Sequence, residues 1–366
     1  MSSFADKMIR WHEHHGRHHL PWQNTRDPYT IWLSEIMLQQ TQVATVIPYY
    51  LRFLQCFPDI RSLASASLDE VLAQWSGLGY YSRGRNLHRA ARLITGNHNG
   101  IFPQDIEVIY ELPGIGRSTA AAIAVFAYGA RCAILDGNVK RILARCLGIE
   151  GYPGERKTEA LLWQKAQEVL PEKSGGNAKG GIEAYTQALM DLGATVCTRF
   201  KPKCLICPLR GGCIAFRDDA VGRLPASRPR KPLPERETVL LILIAHGKIL
   251  LEKRPARGIW GGLWCLPEMP VGESTTKYCA ARFGMGMGLK LLPQIPPLLH
   301  TFTHFRLRIY PQPLQVESSF ALEEDSIGGE VRWMTPCEAA KAAIPAPVSK
   351  LLNSTAASGS AVVNHE

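Results

Sequence analysis

The chain has 366 residues, 46% of them hydrophobic and 20% charged, a composition that is ordinary for a folded protein, excludes a largely disordered chain and predicts about two domains. The first twenty residues are polar and histidine-rich, and no apolar run approaches the roughly 20 residues of a membrane helix, so we expect no signal peptide, no membrane partner and a reducing, cytoplasmic environment. The net charge of +10 favours an anionic partner, but charge alone does not distinguish nucleic acid from acidic protein or lipid.

The first helix that bears on function is predicted to begin at Asp27-Pro28, because Asp is a good N-cap and Pro fits the first helical turn. Glu35 falls within this helix among apolar neighbours, namely Ile31, Trp32, Ile36, Met37 and Leu38. A carboxylate in such a segment lies either on a narrow solvent-facing stripe, which the composition favours, or in a buried site that raises its pKa. In the second case Glu35 would donate a proton near neutral pH.

A glycine-containing turn occupies the segment Leu112–Ala120. Gly114 and Gly116 would let the backbone approach a phosphate, and the alanine-rich helix predicted over Ser118–Tyr128 would offer free N–H groups and its positive dipole end. The pattern is similar to a helix–hairpin–helix, which holds the DNA backbone without reading sequence. An ordinary helix connection is the alternative, and the turn taken alone favours it.

Asp136 precedes a periodic apolar helix and is predicted to be its N-cap. Most capping Asp residues have no further role. A carboxylate at the positive end of a helix dipole is, however, expected to stay ionised, and such an anion in a cleft can stabilise a developing cation. That chemistry needs an acidic partner, and Glu35 is the candidate.

Four cysteines follow within seventeen residues in the pattern C-x6-C-x2-C-x5-C, at Cys197, Cys204, Cys207 and Cys213. Four soft ligands at short, uneven spacings favour one [4Fe–4S] cluster, whereas structural zinc more often has two paired knuckles. Zinc stays open as the weaker interpretation. Three basic residues fill the first gap, and they place positive charge beside the cluster: Arg199, Lys201 and Lys203. The other six cysteines occur singly and are expected to be small buried hydrophobic residues.

The sequence changes character after the cysteines. Residues 223–237 contain four prolines and no apolar periodicity, so we expect an extended linker. The segment Thr238–Arg254 then predicts two strands around a turn at His246-Gly247. Small and polar residues over 353–366 predict a disordered tail.

These motifs, in this order, resemble the MutY adenine DNA glycosylase family of the helix–hairpin–helix, endonuclease III superfamily. The resemblance is carried by SEIMLQQTQV at 34–43, GLGYYSRGRNLH at 77–88, LPGIGRSTA at 112–120, ILDGNVKR at 134–141 and the cysteine cluster. It implies an all-α glycosylase module with a [4Fe–4S] cluster loop over residues 1–222, followed by an α+β Nudix-like domain over 238–352. It also implies a monomer that binds double-stranded DNA.

The implied activity is removal of adenine mispaired with 8-oxoguanine or guanine, by hydrolysis of the N-glycosidic bond. By this resemblance Glu35 is the general acid that protonates adenine, Asp136 stabilises the sugar oxocarbenium ion, and Asn138 assists Asp136. An acid and an ionised carboxylate with opposite pKa tuning are typical of glycoside hydrolysis.

The resemblance also implies a set of DNA contacts. Gln40, Thr41, Leu78 and Tyr80 would fill the gap left by the extruded adenine or wedge beside the oxidised guanine. Gly114, Gly116, Ser118, Arg199, Lys201 and Lys203 would contact the DNA near the hairpin and the cluster. Phe302, Thr303 and His304 would recognise 8-oxoguanine.

Three positions depart from the family pattern, and they shape the alternatives. Ser118 stands where endonuclease III has a lysine nucleophile, which disfavours an apurinic-site lyase and favours a monofunctional glycosylase. Gln23 stands where many relatives have Arg, and Thr303 replaces Ser.

The segment Glu273–Met287 contains one acidic residue, so we expect no Nudix-type magnesium catalysis. A non-catalytic iron–sulfur DNA-binding protein is the other alternative, and the Glu35 and Asp136 pair disfavours it.

Overall fold

The computed structural model describes residues 3–172, 181–228, 232–284, 288–316 and 330–359. The chain divides into two compact units, the first made of Met1–Ser65 and Asn86–Arg230 and the second of Ala66–Arg85 and Lys231–Glu366. Parts of the predicted linker and tail, residues 229–231 and 360–366, lie outside the described residues.

The first unit is helical. Its helices, of which α6 has its first turn in the second unit, are α1 (Phe4–His15), α2 (Pro28–Leu38), α3 (Val43–Cys56), α4 (Ile60–Ser65), α6 (Ser82–Asn97), α7 (Ile106–Glu111), α8 (Arg117–Tyr128), α9 (Gly137–Cys146), α10 (Arg156–Glu168), α11 (Gly181–Thr195) and α12 (Ile214–Arg217). Short 3₁₀ turns at Cys204–Ile206 and Arg210–Gly212 shape the cysteine segment. The helical class predicted for this part is confirmed.

Local sequence signals set the helix starts that matter for function. Helix α2 begins at Pro28, and Asp27 caps it by accepting a hydrogen bond from the Tyr29 N–H at 3.0 Å. Helix α9 begins after Asp136, whose Oδ1 accepts from the Val139 N–H at 2.8 Å. Both predicted caps are confirmed.

The core of the first unit joins α8, α9 and α11. The alanines of α8, including Ala121 and Ala122, pack in one buried cluster with Ile142 of α9 and Leu189 of α11. Small alanine side chains allow neighbouring helices to approach closely. The N-terminal ends of α8 and α9 meet where the Ser118 hydroxyl accepts from the Leu135 N–H, one residue before the α9 cap. Helix α2 packs on α8, which places Glu35 near those ends.

In its described residues the second unit contains a mixed sheet and four helices that lie wholly within it. The strands are β1 (Glu235–Ala245), β2 (Lys248–Lys253), β3 (Trp264–Cys265), β4 (Glu268–Met269), β5 (Leu289–Leu291), β6 (Leu298–Thr301), β7 (Arg306–Val316) and β8 (Val331–Met334). The helices are α5 (Leu68–Trp75), α13 (Thr275–Phe283), α14 (Pro336–Lys341) and α15 (Ala346–Gly359), and the last of these extends into the segment for which we expected a disordered tail.

The sheet runs β3-β2-β1-β7-β5, with β4 on β1, β6 on β7 and β8 on β2. Strands β1 and β7 pair in parallel along their length, and the other pairs are antiparallel. Alternate residues of β1 point to opposite faces, because Leu240 and Ile242 enter one core while Leu241 and Leu243 enter another. The β1–β2 turn at His246-Gly247 and the α+β class are both as predicted. None of the described helices combines the length and apolar character of a membrane span.

Candidate active-site cleft

A cleft of about 1330 Å³ opens in the first unit. Seven of the predicted catalytic and DNA-binding residues line it: Glu35, Gln40, Thr41, Ser118, Asp136, Asn138 and Arg199. These residues come from α2 and the turn after it, the first turn of α8, the start of α9 and the cysteine segment. The fold therefore brings the two predicted carboxylates and several predicted DNA contacts together.

Glu35 is half-buried on the cleft wall. Burial raises the pKa of its carboxyl to about 8, and the nearby charge of Asp136 acts in the same direction. The composition favoured a solvent-facing stripe over a buried site with a raised pKa, and the structure supports the second alternative: the carboxyl is desolvated enough in the cleft wall for its pKa to rise. Glu35 is protonated near neutral pH.

Asp136 also lines the cleft, where burial raises the pKa of its carboxyl. The backbone N–H groups of Val139 and Asn138, with the charges of Arg141 and Lys140, act in the opposite direction. We expected the cap position to keep Asp136 ionised through a low pKa; the direction is wrong, because desolvation outweighs the cap. The charge of Asp136 is in turn the second cause, after burial, of the raised Glu35 pKa, so the two carboxyls are electrostatically coupled.

Asn138 is held in place from one side by Arg141. The Arg141 guanidinium donates to Asn138 Oδ1 at 2.8 Å and to the Gly193 and Cys197 carbonyls, each at 2.7 Å. Gly193 is needed here, because a Cβ at that position would lie 2.4 Å from Asn138 Cβ. Helix α11 can therefore approach the start of α9 only through a glycine.

Ser118 lies in the first turn of α8, and its hydroxyl accepts a hydrogen bond from the Leu135 N–H at 2.9 Å. The hydroxyl thereby holds the backbone directly before Asp136. Gly114 has a φ of 83°, and a Cβ there would come within 2.8 Å of Asn86 Cβ, so the turn requires glycine. Gly116 is exposed with open space around it, as a close backbone approach requires. Neither glycine is part of the cleft lining.

The four predicted ligand cysteines line one small cavity of about 30 Å³. Arg145, which is almost fully buried, donates from Nη1 to Cys197 Sγ at 3.5 Å, and its own carbonyl lies 3.5 Å from Cys213 Sγ. Across the described ranges, no group of three or more His, Cys, Asp or Glu side chains is arranged to hold a single metal ion.

The loop between the first two of these cysteines is basic and exposed. Arg199 reaches the cleft lining, whereas Lys201 and Lys203 point to solvent outside it. Phe200 stands between them with 76% of its surface exposed.

The structure also places residues in the cleft that the sequence analysis did not single out. Arg26 pairs with Glu183 at 2.8 Å in the lining. Gln187 and Arg17 also line the cleft, and both donate to Asp191, which is fully buried behind the lining, at 2.9 Å and, from Arg17 Nε, at 2.8 Å. The signal for these side chains was present, because Glu183, Gln187 and Asp191 are spaced by four residues and form one polar stripe on α11. Gln23 lines the cleft as well, with its amide oxygen accepting from the Leu20 N–H.

The remaining predicted contacts belong to the second unit. Tyr80 is 46% exposed with a φ of 47°, whereas Leu78 is buried at 6% exposure. Of the two, only Tyr80 has the exposure of an intercalating side chain. Thr303 and His304 are exposed side by side, 3.3 Å apart between Oγ1 and Nδ1, and Phe302 is partly buried behind them.

Known proteins share this architecture. Residues 33–168 match the HhH-GPD superfamily of base excision DNA repair proteins, and residues 238–354 match the NUDIX domain. The adenine DNA glycosylase of Buchnera aphidicola is 36% identical over 349 residues, covering 95% of this chain and 96% of that protein. The human adenine DNA glycosylase is 32% identical over 411 residues, covering 96% of this chain and 73% of that protein. A thermostable thymine-DNA glycosylase structure superposes with a TM-score of 0.51 at 26% identity, covering 59% of this chain and 95% of that one. The chain therefore belongs to the adenine DNA glycosylase family.

Proposed function

We propose that this protein removes adenine from DNA in which the adenine is paired with 8-oxoguanine or guanine, by hydrolysing the N-glycosidic bond. One observation carries the proposal: Glu35, a carboxyl with a pKa of about 8, shares a cleft with Asp136 and Asn138. Membership of the family indicates that the excised base is adenine, and the two carboxyl groups indicate acid-assisted cleavage of a glycosidic bond.

Glu35 holds the proton that the reaction needs. It would transfer this proton to a ring nitrogen of adenine as the C1′–N9 bond breaks, so that the base departs neutral. Water would then add to C1′ and lose a proton, which the Glu35 carboxylate can take up. General acid catalysis of this kind contributes ~10²–10⁴-fold. Asp136 would supply negative charge to the oxocarbenium ion, and Arg141 fixes Asn138 beside it.

The adenine must leave the helix stack before it can reach the cleft, at a cost of a few kcal/mol that is lowest at a mispair. We assign Tyr80 to the wedge beside the vacated position, because it is the exposed aromatic residue of its loop. The turn at Gly114 and Gly116 opens α8 toward solvent, where the free N–H groups of the helix can bind a phosphate. Gln40 and Thr41 complete this surface from the cleft rim.

We assign one [4Fe–4S] cluster to Cys197, Cys204, Cys207 and Cys213. The four thiols line one cavity, and Arg145 supplies positive charge next to it. Four thiols on one cavity match the ligand number of a cubane cluster, and their short, uneven spacings fit it better than the paired knuckles of structural zinc. The cluster would hold the basic loop in place for DNA.

A single assay tests the function. A duplex with one adenine opposite 8-oxoguanine is incubated with the protein and then divided between hot alkali and a neutral control. We expect strand breaks only after alkali, because Ser118 supplies a hydroxyl already bonded to Leu135 and no amine for a Schiff base. Breaks without alkali would show an apurinic-site lyase, and an intact strand in both samples would leave a binding protein.

The cluster assignment predicts a metal content. Protein purified without oxygen should be brown and contain iron and acid-labile sulfide near four per chain. Replacing Cys207 by serine should lower the iron content, whereas replacing the exposed Cys56 by serine should leave it unchanged. Stoichiometric zinc without iron in the parent protein would contradict the assignment.

The basic loop predicts a salt dependence. Replacing Lys201 or Lys203 by alanine should weaken binding to matched and mispaired duplexes alike, and each change should reduce the slope of log K against log salt by about one unit. Lys248, at the β1–β2 turn, is the exposed control residue. A loss confined to one mispair would argue against phosphate contacts.

A further inference from the structure

A helix and a loop from the first quarter of the sequence pack on the C-terminal part of the chain within the second unit. Leu72 of α5 forms a buried cluster with Leu263 and Ala343. Lys253 Nζ binds Asp69 Oδ2 at 2.8 Å, on the helix turn that precedes Leu72. Helix α5 is therefore anchored to the Nudix-like sheet by apolar burial and by an ion pair.

The wedge loop, Gly77–Tyr80, is tied to the same support by one hydroxyl. The Gly77 N–H donates to the Tyr81 hydroxyl at 3.3 Å, and that hydroxyl donates to the Ile344 carbonyl at 2.9 Å. The Gly77 to Tyr81 hydrogen bond closes the loop on itself, and Tyr80, the exposed wedge, lies between these two residues in the chain. The Tyr81 ring also packs on the Leu72 cluster, so ring and hydroxyl both fix the end of the loop.

Trp260 links this region to the loop Phe302–Phe305, called here the FTHF loop. The Trp260 side chain packs on the Leu72 cluster and also on the sheet core that includes Phe305. Its ring centroid lies 5.8 Å from that of Phe302, which stacks on Phe305 at 4.5 Å. Trp260 has a φ of 55°, a conformation unfavourable for a bulky residue and sustained by its surroundings.

We propose that the wedge loop and the FTHF loop act as one device that senses the base opposite the adenine, with Tyr81 and Trp260 as its positioning residues. This inference rests on the proposed function. The contacts fix the spacing between Tyr80 and the exposed pair Thr303 and His304 before DNA arrives. A base that displaces one loop then misplaces the other, and 8-oxoguanine is distinguished from guanine by how well it fits both loops together.

Tyr81→Phe tests the device, because it deletes the bridging hydroxyl and keeps the ring in its cluster. The measured quantity is the single-turnover excision rate constant opposite 8-oxoguanine divided by that opposite guanine. We expect this ratio to fall about three- to tenfold while the rate constant opposite guanine stays within about twofold of the parent. Tyr128→Phe is the matched control, since the Tyr128 hydroxyl also donates to a backbone carbonyl, that of Phe102, in the first unit. An unchanged ratio in Tyr81→Phe, or an equal loss on both duplexes, would overturn the proposal.

A double-mutant cycle tests the coupling itself. Thr303→Ala should lower the same ratio, and the double variant with Tyr81→Phe should be no lower than Thr303→Ala within about twofold. A double variant whose loss equals the product of the single losses would show two independent loops, and an unaffected Thr303→Ala ratio would remove the FTHF loop from the device. The parent protein distinguishes failure of the proposed function from failure of this inference. If the parent excises no adenine opposite 8-oxoguanine, the proposed function is wrong. If the parent discriminates between the two duplexes and the variants do so equally well, only this inference is wrong.

Discussion

Glu35→Gln is expected to lose at least about a hundredfold in single-turnover excision of adenine opposite 8-oxoguanine and to keep its affinity for the same duplex. Glutamine preserves the shape of the side chain and its place on the cleft wall, so the surface for the DNA is unchanged. It cannot donate the proton that lets adenine depart neutral, and that proton contributes ~10²–10⁴-fold. Binding is measured by titration at a fixed salt concentration and excision by alkaline cleavage; a parental rate constant in the variant would remove Glu35 from the mechanism.

The pKa of Glu35 also fixes a pH dependence. Because the protonated form is the active one, the parental rate constant should fall about tenfold per pH unit as the pH rises above about 8.

The free energy of unfolding should also fall as the pH rises, in a lower pH range. The folded pKa exceeds the ordinary value of 4.5, so the folded state loses stability as the pH rises from about 4.5 to about 8. The amide of the Glu35→Gln variant does not ionise, and melting curves at both ends of this range should therefore show the variant gaining stability relative to the parent as the pH rises.

The local parts of the structure could be predicted from local signals. Asp27, Pro28 and Asp136 fix helix starts through hydrogen bonds and dihedral preferences of adjacent residues, and the His246-Gly247 turn does the same for the β1–β2 hairpin. Such signals act over three or four residues and need no knowledge of the tertiary fold.

The electrostatics of the cleft could not be predicted in this way. The Asp136 cap is where the sequence places it, yet burial reverses the expected direction of its pKa shift. The composition of the sequence around Glu35 favoured a solvent-facing position, because that composition does not show which residues from other helices surround the carboxyl in the fold. The desolvation of a carboxyl depends on which helices pack around it in the fold. The close contact between Gly193 of α11 and Asn138 joins residues 55 positions apart, so the sequence pattern around either residue does not predict it. The grouping of residues 66–85 with the C-terminal part has the same origin in long-range packing.

Asp136→Asn separates a catalytic charge from a helix cap. An asparagine Oδ1 can still accept from the Val139 N–H, so α9 should keep its start and the variant should unfold close to the parental temperature. The negative charge is lost, and we expect excision to fall by about 10²–10³-fold, the range found when one electrostatic stabiliser of a transition state is removed. Asp105→Asn is the control, because the Asp105 carboxylate also caps a helix, α7, by accepting from a first-turn N–H, that of Glu107, and is not part of the cleft lining.

The residual activity of Asp136→Asn carries a second signal. The charge of Asp136 helps to raise the pKa of Glu35, so removing it should lower that pKa. Protonated Glu35 would then be lost at lower pH, and the descending limb of the pH–rate profile should move below the parental position near 8. A purely structural cap would leave that limb in place, because hydrogen bonding to Val139 does not act on Glu35. A loss of less than about tenfold, about 1.4 kcal/mol, together with an unshifted limb would make Asp136 a cap and nothing more.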